Sequence, residues 1–281
     1  MQRVSCLVGA RNEVRTSMSF PDQLLKLAVE VAEEAARLIV ERRRGQITVA
    51  DTKSTITDVV TAVDRESEEL IRARVLAARP DDSFLGEEGD DVNGTSGVRW
   101  VVDPIDGTVN YLYDLPTYAV SIAVEVDGET VAGVVVDAPK GEVFTATKGG
   151  GAFVDGKPIR VSGETELAKA LVGTGFGYDP ARRQVQAEVV QQLITKVRDI
   201  RRIGVGAIDL CYVACGRLDV VYERGLNPWD YGAGALIAAE AGAAVGGLNG
   251  APVSPEMSIA ATPALFDPFH DLIAAANPLR A

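Results

Sequence analysis

Between Pro21 and Arg44 the apolar residues Leu24, Ala28, Val31, Ala35, Leu38 and Ile39 recur at helical spacing, and Gly45 stops the run. This predicts an amphipathic helix. A second helix is predicted to follow Thr61, turning Leu70, Ile71, Val75 and Ala78 inward and ending at Pro80. From Ser83 to Val161 the period changes. Short valine-rich runs at Arg99 to Val102, Ala119 to Val126, Glu129 to Asp137, Glu142 to Thr147 and Gly151 to Val154 predict strands. Asp127-Gly128 and Asp155-Gly156 are two-residue hairpin signals, so neighbouring strands are expected to pair antiparallel, and this half reads as α+β.

Beyond Ser162, strand and helix alternate. Strands are predicted at Ala170 to Thr174, Leu218 to Tyr222 and Ser258 to Ala261, and helices near Ala181 to Val197, Gly206 to Cys215, Asp230 to Ala241 and Leu265 to Ala276. That order implies a second sheet flanked by helices. The pattern therefore divides the chain into an N-terminal extension (1–19), an α+β lobe (20–162) and an α/β lobe (163–281).

At 281 residues, 47% hydrophobic and 24% charged, the composition is that of a folded globular protein with room for two joined cores. The net charge of -12 argues against an extended nucleic-acid surface, which needs clustered Lys and Arg; the local group Arg198, Arg201 and Arg202 does not reverse it. An acidic chain can still take a phosphorylated substrate if metal ions supply the positive charge. Cys6, Cys211 and Cys215 lack CxxC spacing and His270 is the single histidine, which argues against a zinc site and histidine-based acid/base machinery. Cys211 and Cys215, spaced i, i+4, read as small core residues, and a reducing cytoplasm is the expected setting. Residues 1 to 17 hold Arg3, Arg11 and Arg15 with only a short apolar stretch, so no secretory signal is predicted, and Met18 is a candidate start. No apolar run reaches the ~18 residues of a membrane span.

The informative chemistry lies in four acidic groups at predicted element ends: Asp58 with Asp64, Glu87 with Glu88, Asp103 with Asp106, and Asp230. Taken singly, Gly86-Glu87-Glu88-Gly89 reads as a solvated turn, Asp64 as the partner of Thr61 in a capping box, and Asp230 as an acid in a first helical turn. Asp103 and Asp106 resist such a reading. They follow the buried run Trp100-Val-Val at a turn fixed by Pro104 and Gly107, and two acids held together there repel unless a cation joins them. Mg²⁺ prefers oxygen ligands and needs no histidine, so the inventory suits it. Gly107-Thr108 then opens a short turn or helix over Val109 to Leu112, whose amides are placed to receive a phosphate oxygen.

Gly86-Glu87-Glu88, Asp103-Pro-Ile-Asp-Gly-Thr108 and Trp229-Asp230, in this order and spacing, make the chain resemble the inositol monophosphatase family of Mg²⁺-dependent, lithium-sensitive phosphatases over roughly residues 20 to 276. The resemblance implies a layered αβαβα sandwich of the inositol monophosphatase / fructose-1,6-bisphosphatase type. It implies that Glu87, Asp103 and the Ile105 carbonyl hold a first Mg²⁺, that Asp103, Asp106 and Asp230 hold a second, and that a third, weaker ion leans on Glu87 and water. Asp103 as a bridge suits the ~3.5 to 4 Å separation of two-metal phosphoryl sites. Thr108, bonded to Asp64, would orient the attacking water, with Glu87 completing the catalytic set, and the amides of Gly107 and Thr108 would hold the phosphate. The implied mechanism is in-line attack of a metal-activated water with no covalent phospho-enzyme.

For the alcohol, the resemblance points to Asp106, Glu223 and Asp230 and to the backbone at Gly204, Val205 and Gly206, continuing to Ala207. A carboxylate accepting from a diol makes strong, charge-assisted bonds. Lys53 resembles the family's mobile-loop lysine. Val63 stands where many members place threonine and Val205 where serine or threonine is frequent, so substrate preference is the open point. The expected activity is hydrolysis of inositol 1-phosphate to myo-inositol and phosphate. Fructose 1,6-bisphosphate, histidinol phosphate and 3'-phosphoadenosine phosphates are alternatives within the class, and an interaction protein in an RNA-polymerase-associated complex is the alternative from another class. A homodimer is implied; direct nucleic-acid binding and a membrane are not expected.

Overall fold

The computed structural model describes residues 18–45, 47, 49–53 and 59–280; Asp58, Cys6 and the proposed extension up to residue 17 lie outside them. Helix α1 (Phe20–Arg43) starts where the Ser19 side chain accepts from the Asp22 amide, and it buries the stripe Leu24, Ala28, Val31, Ala35 and Ile39. A short antiparallel pair, β1 (Val49–Thr52) and β2 (Val59–Thr61), leads into α2 (Ala62–Ala78), whose N-terminus is a capping box of Thr61 and Asp64.

Seven strands then form one sheet: β3 (Ser83–Gly86), β4 (Val98–Asp106), β5 (Ala119–Val126), β6 (Glu129–Asp137), β7 (Glu142–Thr147), β8 (Gly151–Val154) and β9 (Lys157–Pro158), in chain order. β3 and β4 are parallel and the rest antiparallel. Helix α3 (Thr108–Leu112) interrupts between β4 and β5. Both hairpin signals take the predicted left-handed turns, with φ of 50° and 83° at Asp127-Gly128 and 48° and 71° at Asp155-Gly156.

The second sheet comprises β10 (Leu171–Thr174), β11 (Asp199–Arg201), β12 (Val220–Glu223), β13 (Ala244–Gly246) and β14 (Ser258–Ala261), in the order β11-β10-β12-β14-β13. Between them run α4 (Pro180–Leu193), α5 (Gly206–Ala214) and α6 (Pro228–Glu240), and α7 (Pro263–Ala275) follows β14.

Strand alternation sorts side chains into three cores and so builds the layers. Trp100 and Val102 of β4 face α1 and α2, while Val101 between them faces α5 and α6. On β12, Val221 faces that same middle helix layer, and Val220 and Tyr222 face α4 and α7 with Leu193, Leu265 and Phe269. The result is the expected αβαβα sandwich, and the strands read as continuous apolar runs because both faces are covered. The strands β1, β2, β3, β9, β11 and β13 are additional to the predicted set. β11 carries Asp199 and Arg201 at a sheet edge, where charge is tolerated and hydrophobic periodicity is weak.

Candidate active site

One difference from the sequence expectation shapes the site. Asp103 and Asp106 do not follow the strand; both belong to β4, which continues to Asp106 across a register shift, Asp103 opposite Ser121 and Asp106 opposite Ala119. Pro104 has no amide to give to β5, so the ladder is broken there and the extra residue bulges. Gly107 then turns the chain at φ 93°, a left-handed conformation that favours glycine, and α3 begins.

The bulge brings both acids toward Asp230. One oxygen each of Asp103, Asp106 and Asp230 lies within 4.8 Å of the others. Every arm is fixed from a different element. The Ile105 amide donates to Asp103 Oδ1 at 3.0 Å, and the Ala207 amide at the start of α5 donates to Asp106 Oδ2 at 2.7 Å. The Asn227 amide donates to Asp230 Oδ2 at 2.6 Å in a capping box that opens α6. Ser121 of β5 donates to the Trp229 carbonyl at 3.0 Å and so ties the first sheet to that helix start.

Glu87 stands just past β3. Its Oε1 accepts from Lys53 Nζ at 2.7 Å, the same ammonium contacts Glu88, and Asp103 is an acidic neighbour. Asp64 serves two masters with its two oxygens. Oδ2 accepts from the Thr61 amide at 2.9 Å, the helix-cap role, while Oδ1 accepts from Thr108 Oγ1 at 3.0 Å. Thr108 Oγ1 also lies 3.1 Å from the Ile105 carbonyl. Glu223 ends β12.

Glu87, Asp103, Ile105, Asp106, Gly107, Thr108, Gly204, Gly206, Glu223 and Asp230 all line one cavity of about 640 Å³, as does Lys53. Asp64 is fully buried behind Thr108. Val205 does not line the cavity: its side chain is 1% exposed and belongs to the core around α5 and α6, because Gly204 and Gly206 on either side form the wall. The Ala207 amide is committed to Asp106. Sequence reasoning missed Asn110, which donates to the Thr117 and Ile203 carbonyls at 3.0 and 2.9 Å and so joins α3 to the loop before α5. It also missed the arginines Arg182 and Arg202 on the cavity wall.

The electrostatics fit a hard cation. Burial, then Glu87, Asp106 and Asp230, raise Asp103 well above the ordinary carboxylate range. Glu87 and Asp230 are each pushed up to about 7, first by burial and then by acidic neighbours, with Lys53 opposing. Asp106 rises to about 7 by burial, against which the Ala207 amide works. Glu223 rises to about 8 by burial and Asp230, with Arg202 opposing. For Lys53, burial disfavours the charge, but Glu87 and Glu88 outweigh it and hold it above its usual value. Oxygen donors that repel one another until a positive charge arrives are the donor set that Mg²⁺-type ions take.

The sequence and fold agree with known proteins. The model of the inositol monophosphatase family matches residues 21–277. An inositol-1-monophosphatase of Mycobacterium leprae is 46% identical over 268 residues, covering 88% of this chain and 92% of that protein. A protein named Nus factor SuhB from Escherichia coli K12 is 38% identical over 229 residues, covering 81% of this chain and 86% of that one. The crystal structure of the extragenic suppressor protein suhB from Bartonella henselae superposes with a TM-score of 0.83 at 34% identity, covering 92% of this chain and 98% of that chain. With its acids carried on the bulged strand and helix caps of the αβαβα sandwich, and with a match that spans nearly its whole length, the chain belongs to the inositol monophosphatase family, a family of phosphatases.

Proposed function

We propose that this enzyme hydrolyses inositol 1-phosphate to myo-inositol and phosphate with Mg²⁺ in the acidic site. The observation that carries the reading is the convergence of Asp103, Asp106 and Asp230 within 4.8 Å beside the Thr108–Asp64 pair. Relatives of similar length named inositol-1-monophosphatase support the choice of substrate. Two to three Mg²⁺ ions held by Glu87, Asp103, the Ile105 carbonyl, Asp106 and Asp230 would, when bound, lower the pKa of water and neutralise phosphate charge.

The chain's own groups do the positioning. Asp64 Oδ1 accepts the Thr108 hydroxyl proton, which leaves the Thr108 oxygen as an acceptor that orients the attacking water. The turn at Gly107 and Thr108 supplies amides for the phosphate. Asp106 and Glu223 accept from hydroxyls of the alcohol, with Gly204 and Gly206 forming the wall beside them. Water adds to phosphorus as the ester oxygen leaves in line and takes up a proton, so phosphate and free alcohol are the products.

Inhibition by lithium, a homodimer and a cytoplasmic setting belong to the same reading. Among the described residues no helix is long and apolar enough to cross a membrane. The test is phosphate release from a panel of phosphomonoesters with Mg²⁺ varied. Mg²⁺-dependent release from inositol 1-phosphate is expected; a much higher kcat/KM on another member overturns the substrate assignment. Relatives named Nus factor favour a second role in an RNA-polymerase-associated complex, which can coexist with catalysis. Full wild-type activity with at least about a hundredfold loss in Asp106→Asn excludes a purely non-catalytic protein.

A further inference from the structure

Helix α2 turns one polar stripe toward the site. Asp64, Ser67, Glu68 and Arg72 stand at i, i+3, i+4 and i+8, so they share a face of the helix. Each is committed to a segment that carries part of the acidic wall. Asp64 accepts from Thr108, the Ser67 hydroxyl donates to the Pro104 carbonyl in the β4 bulge at 3.2 Å, and Glu68 Oε2 accepts from the Glu88 amide at 2.8 Å. Arg72 Nη2 donates to Glu68 Oε1 at 2.9 Å and its Nη1 to the Asp90 carbonyl at 2.6 Å, with the guanidinium 4.9 Å from the centre of the Phe84 ring. The acid that holds Glu88 is thus itself held, and the arginine that holds it also fastens the far end of the same turn.

Glu68 is 3% exposed. A buried ion pair contributes little net stability, because desolvating both charges offsets their attraction, and apolar side chains of similar size often serve a fold as well. What this pair does provide is a fixed place for the backbone from Gly86 to Asp90, which carries Glu87. The glycines on either side of Glu87 and Glu88 answer to it. A Cβ at Gly86 would fall on the Glu68 carboxylate, and one at Gly89 would come within 2.6 Å of Glu68 Oε1 and of Arg72 Nη2. Neither glycine is among those with positive φ, so the need is for room rather than for backbone freedom. Gly86-Glu87-Glu88-Gly89, which reads along the chain as a solvated turn, is a turn packed on a buried carboxylate.

We propose that Glu68 and Arg72 are positioning residues for the metal wall: by holding the turn at Glu88 and Asp90 they set Glu87 beside Asp103 before an ion arrives. The inference rests on the reading of the acidic site as a Mg²⁺ site. Asp103, Asp106 and Asp230 are each fixed by a backbone amide that donates to the carboxylate itself. Among the described residues no backbone amide donates to Glu87, whose carboxylate takes the Lys53 side chain instead, so its place depends on the backbone that carries it. With that backbone ordered in the folded protein, ion binding is spared the cost of ordering it. Losing an outer partner of this kind typically weakens metal affinity by about tenfold to a hundredfold.

The test replaces the pair by apolar side chains, Glu68→Leu with Arg72→Leu, which leaves the net charge unchanged and should melt close to wild type in chelator. Mg²⁺ binding is measured by calorimetry without substrate, and phosphate release from inositol 1-phosphate is followed as Mg²⁺ is varied. The double variant should bind Mg²⁺ about tenfold more weakly and need about tenfold more of it for half-maximal rate, with kcat at saturating Mg²⁺ within about threefold of wild type. Glu68→Gln keeps an acceptor for the Glu88 amide and should recover part of the affinity. Gly89→Ala crowds the pair without removing either charge and should shift the Mg²⁺ dependence in the same direction; it decides the matter if the double variant does not fold. Asp82→Ala, beside the other end of β3, should lower the melting temperature and leave the Mg²⁺ midpoint where it was. An equal shift of the midpoint in Asp82→Ala makes the effect one of general stability and overturns the proposal. Wild-type Mg²⁺ affinity in a folded double variant overturns it too, as does a fall in kcat at saturating Mg²⁺ with an unchanged midpoint. If wild type itself binds no Mg²⁺, the metal reading fails, and the pair is judged by hydrogen exchange over residues 86–90. Protection in wild type that is lost in the variants supports the pair as the holder of that turn, and equal exchange overturns it.

Discussion

Asp82 and Asp103 are both buried, at 1% and 2% exposure, and both touch the same sheet, yet they are held in opposite ways. Asp82 is surrounded by donors. Trp100 Nε1 reaches Oδ2 at 2.8 Å, Ser96 Oγ reaches Oδ1 at 2.6 Å, and Arg79 grips both oxygens. Burial pushes its pKa up, but these partners outweigh burial and leave it below the ordinary range. Asp103 has the Ile105 amide and, beyond that, three other carboxylates as neighbours. The protein completes the shell of one acid and leaves the other to be completed by a ligand. Burial alone therefore does not mark a functional carboxylate; at Asp103 the mark is burial beside other carboxylates with a single amide donor.

The sharpest way to break this comparison is to neutralise each acid. Asp103→Asn should lower kcat/KM for phosphate release by about a thousandfold or more, and in chelator it should melt no lower than wild type because a repulsion has been removed. A variant with near-wild-type activity would end the assignment of Asp103 to the metal wall. Thr108→Ala should cost about a hundredfold in kcat by freeing the water from its acceptor, with little change in KM. An equal change in both constants would instead make Thr108 a binding residue.

Asp82→Ala should do the reverse of Asp103→Asn. It strands the Trp100 indole N–H and should destabilise by about 1–3 kcal/mol in denaturant unfolding, with kcat per folded molecule unchanged. The smallest expected effect concerns pH. Glu87, Asp106 and Asp230 titrate near 7 in the folded, metal-free protein and near 4 when unfolded, so between those values the folded state binds more protons and stability falls as pH rises. Melting temperatures in chelator should therefore drop between about pH 5 and pH 8, and saturating Mg²⁺ should flatten the slope. A metal-free slope no steeper than the Mg²⁺-bound one would show that the wall is not strained.

Much of the architecture was legible along the chain. The strands Ala119–Val126, Glu129–Asp137, Glu142–Thr147 and Gly151–Val154 have the predicted bounds, since each is closed by a turn whose residues have few alternatives, as at Asp127-Gly128. Asp64 shows how a local signal can be right and incomplete. The Thr61 capping box is real, but the spacing speaks for one oxygen, and the other is committed to Thr108 far along the chain. Val205 shows the opposite limit: its neighbours line the cavity, but nothing local says that its own side chain turns into the core.

The periodicities, the turns and caps, and the presence of the acids are properties of the chain alone, because these depend on residues a few positions apart. Which of those acids meet is set by packing. Asp230 reaches Asp103 because α6 packs on the sheet that carries β4, and Asp106 is held by an amide of α5. The bulge at Pro104 and the placing of Arg182 and Arg202 on the cavity wall belong to the same level. They arise from layers closing on one another, and chain spacing carries no record of a distance set by packing across two sheets.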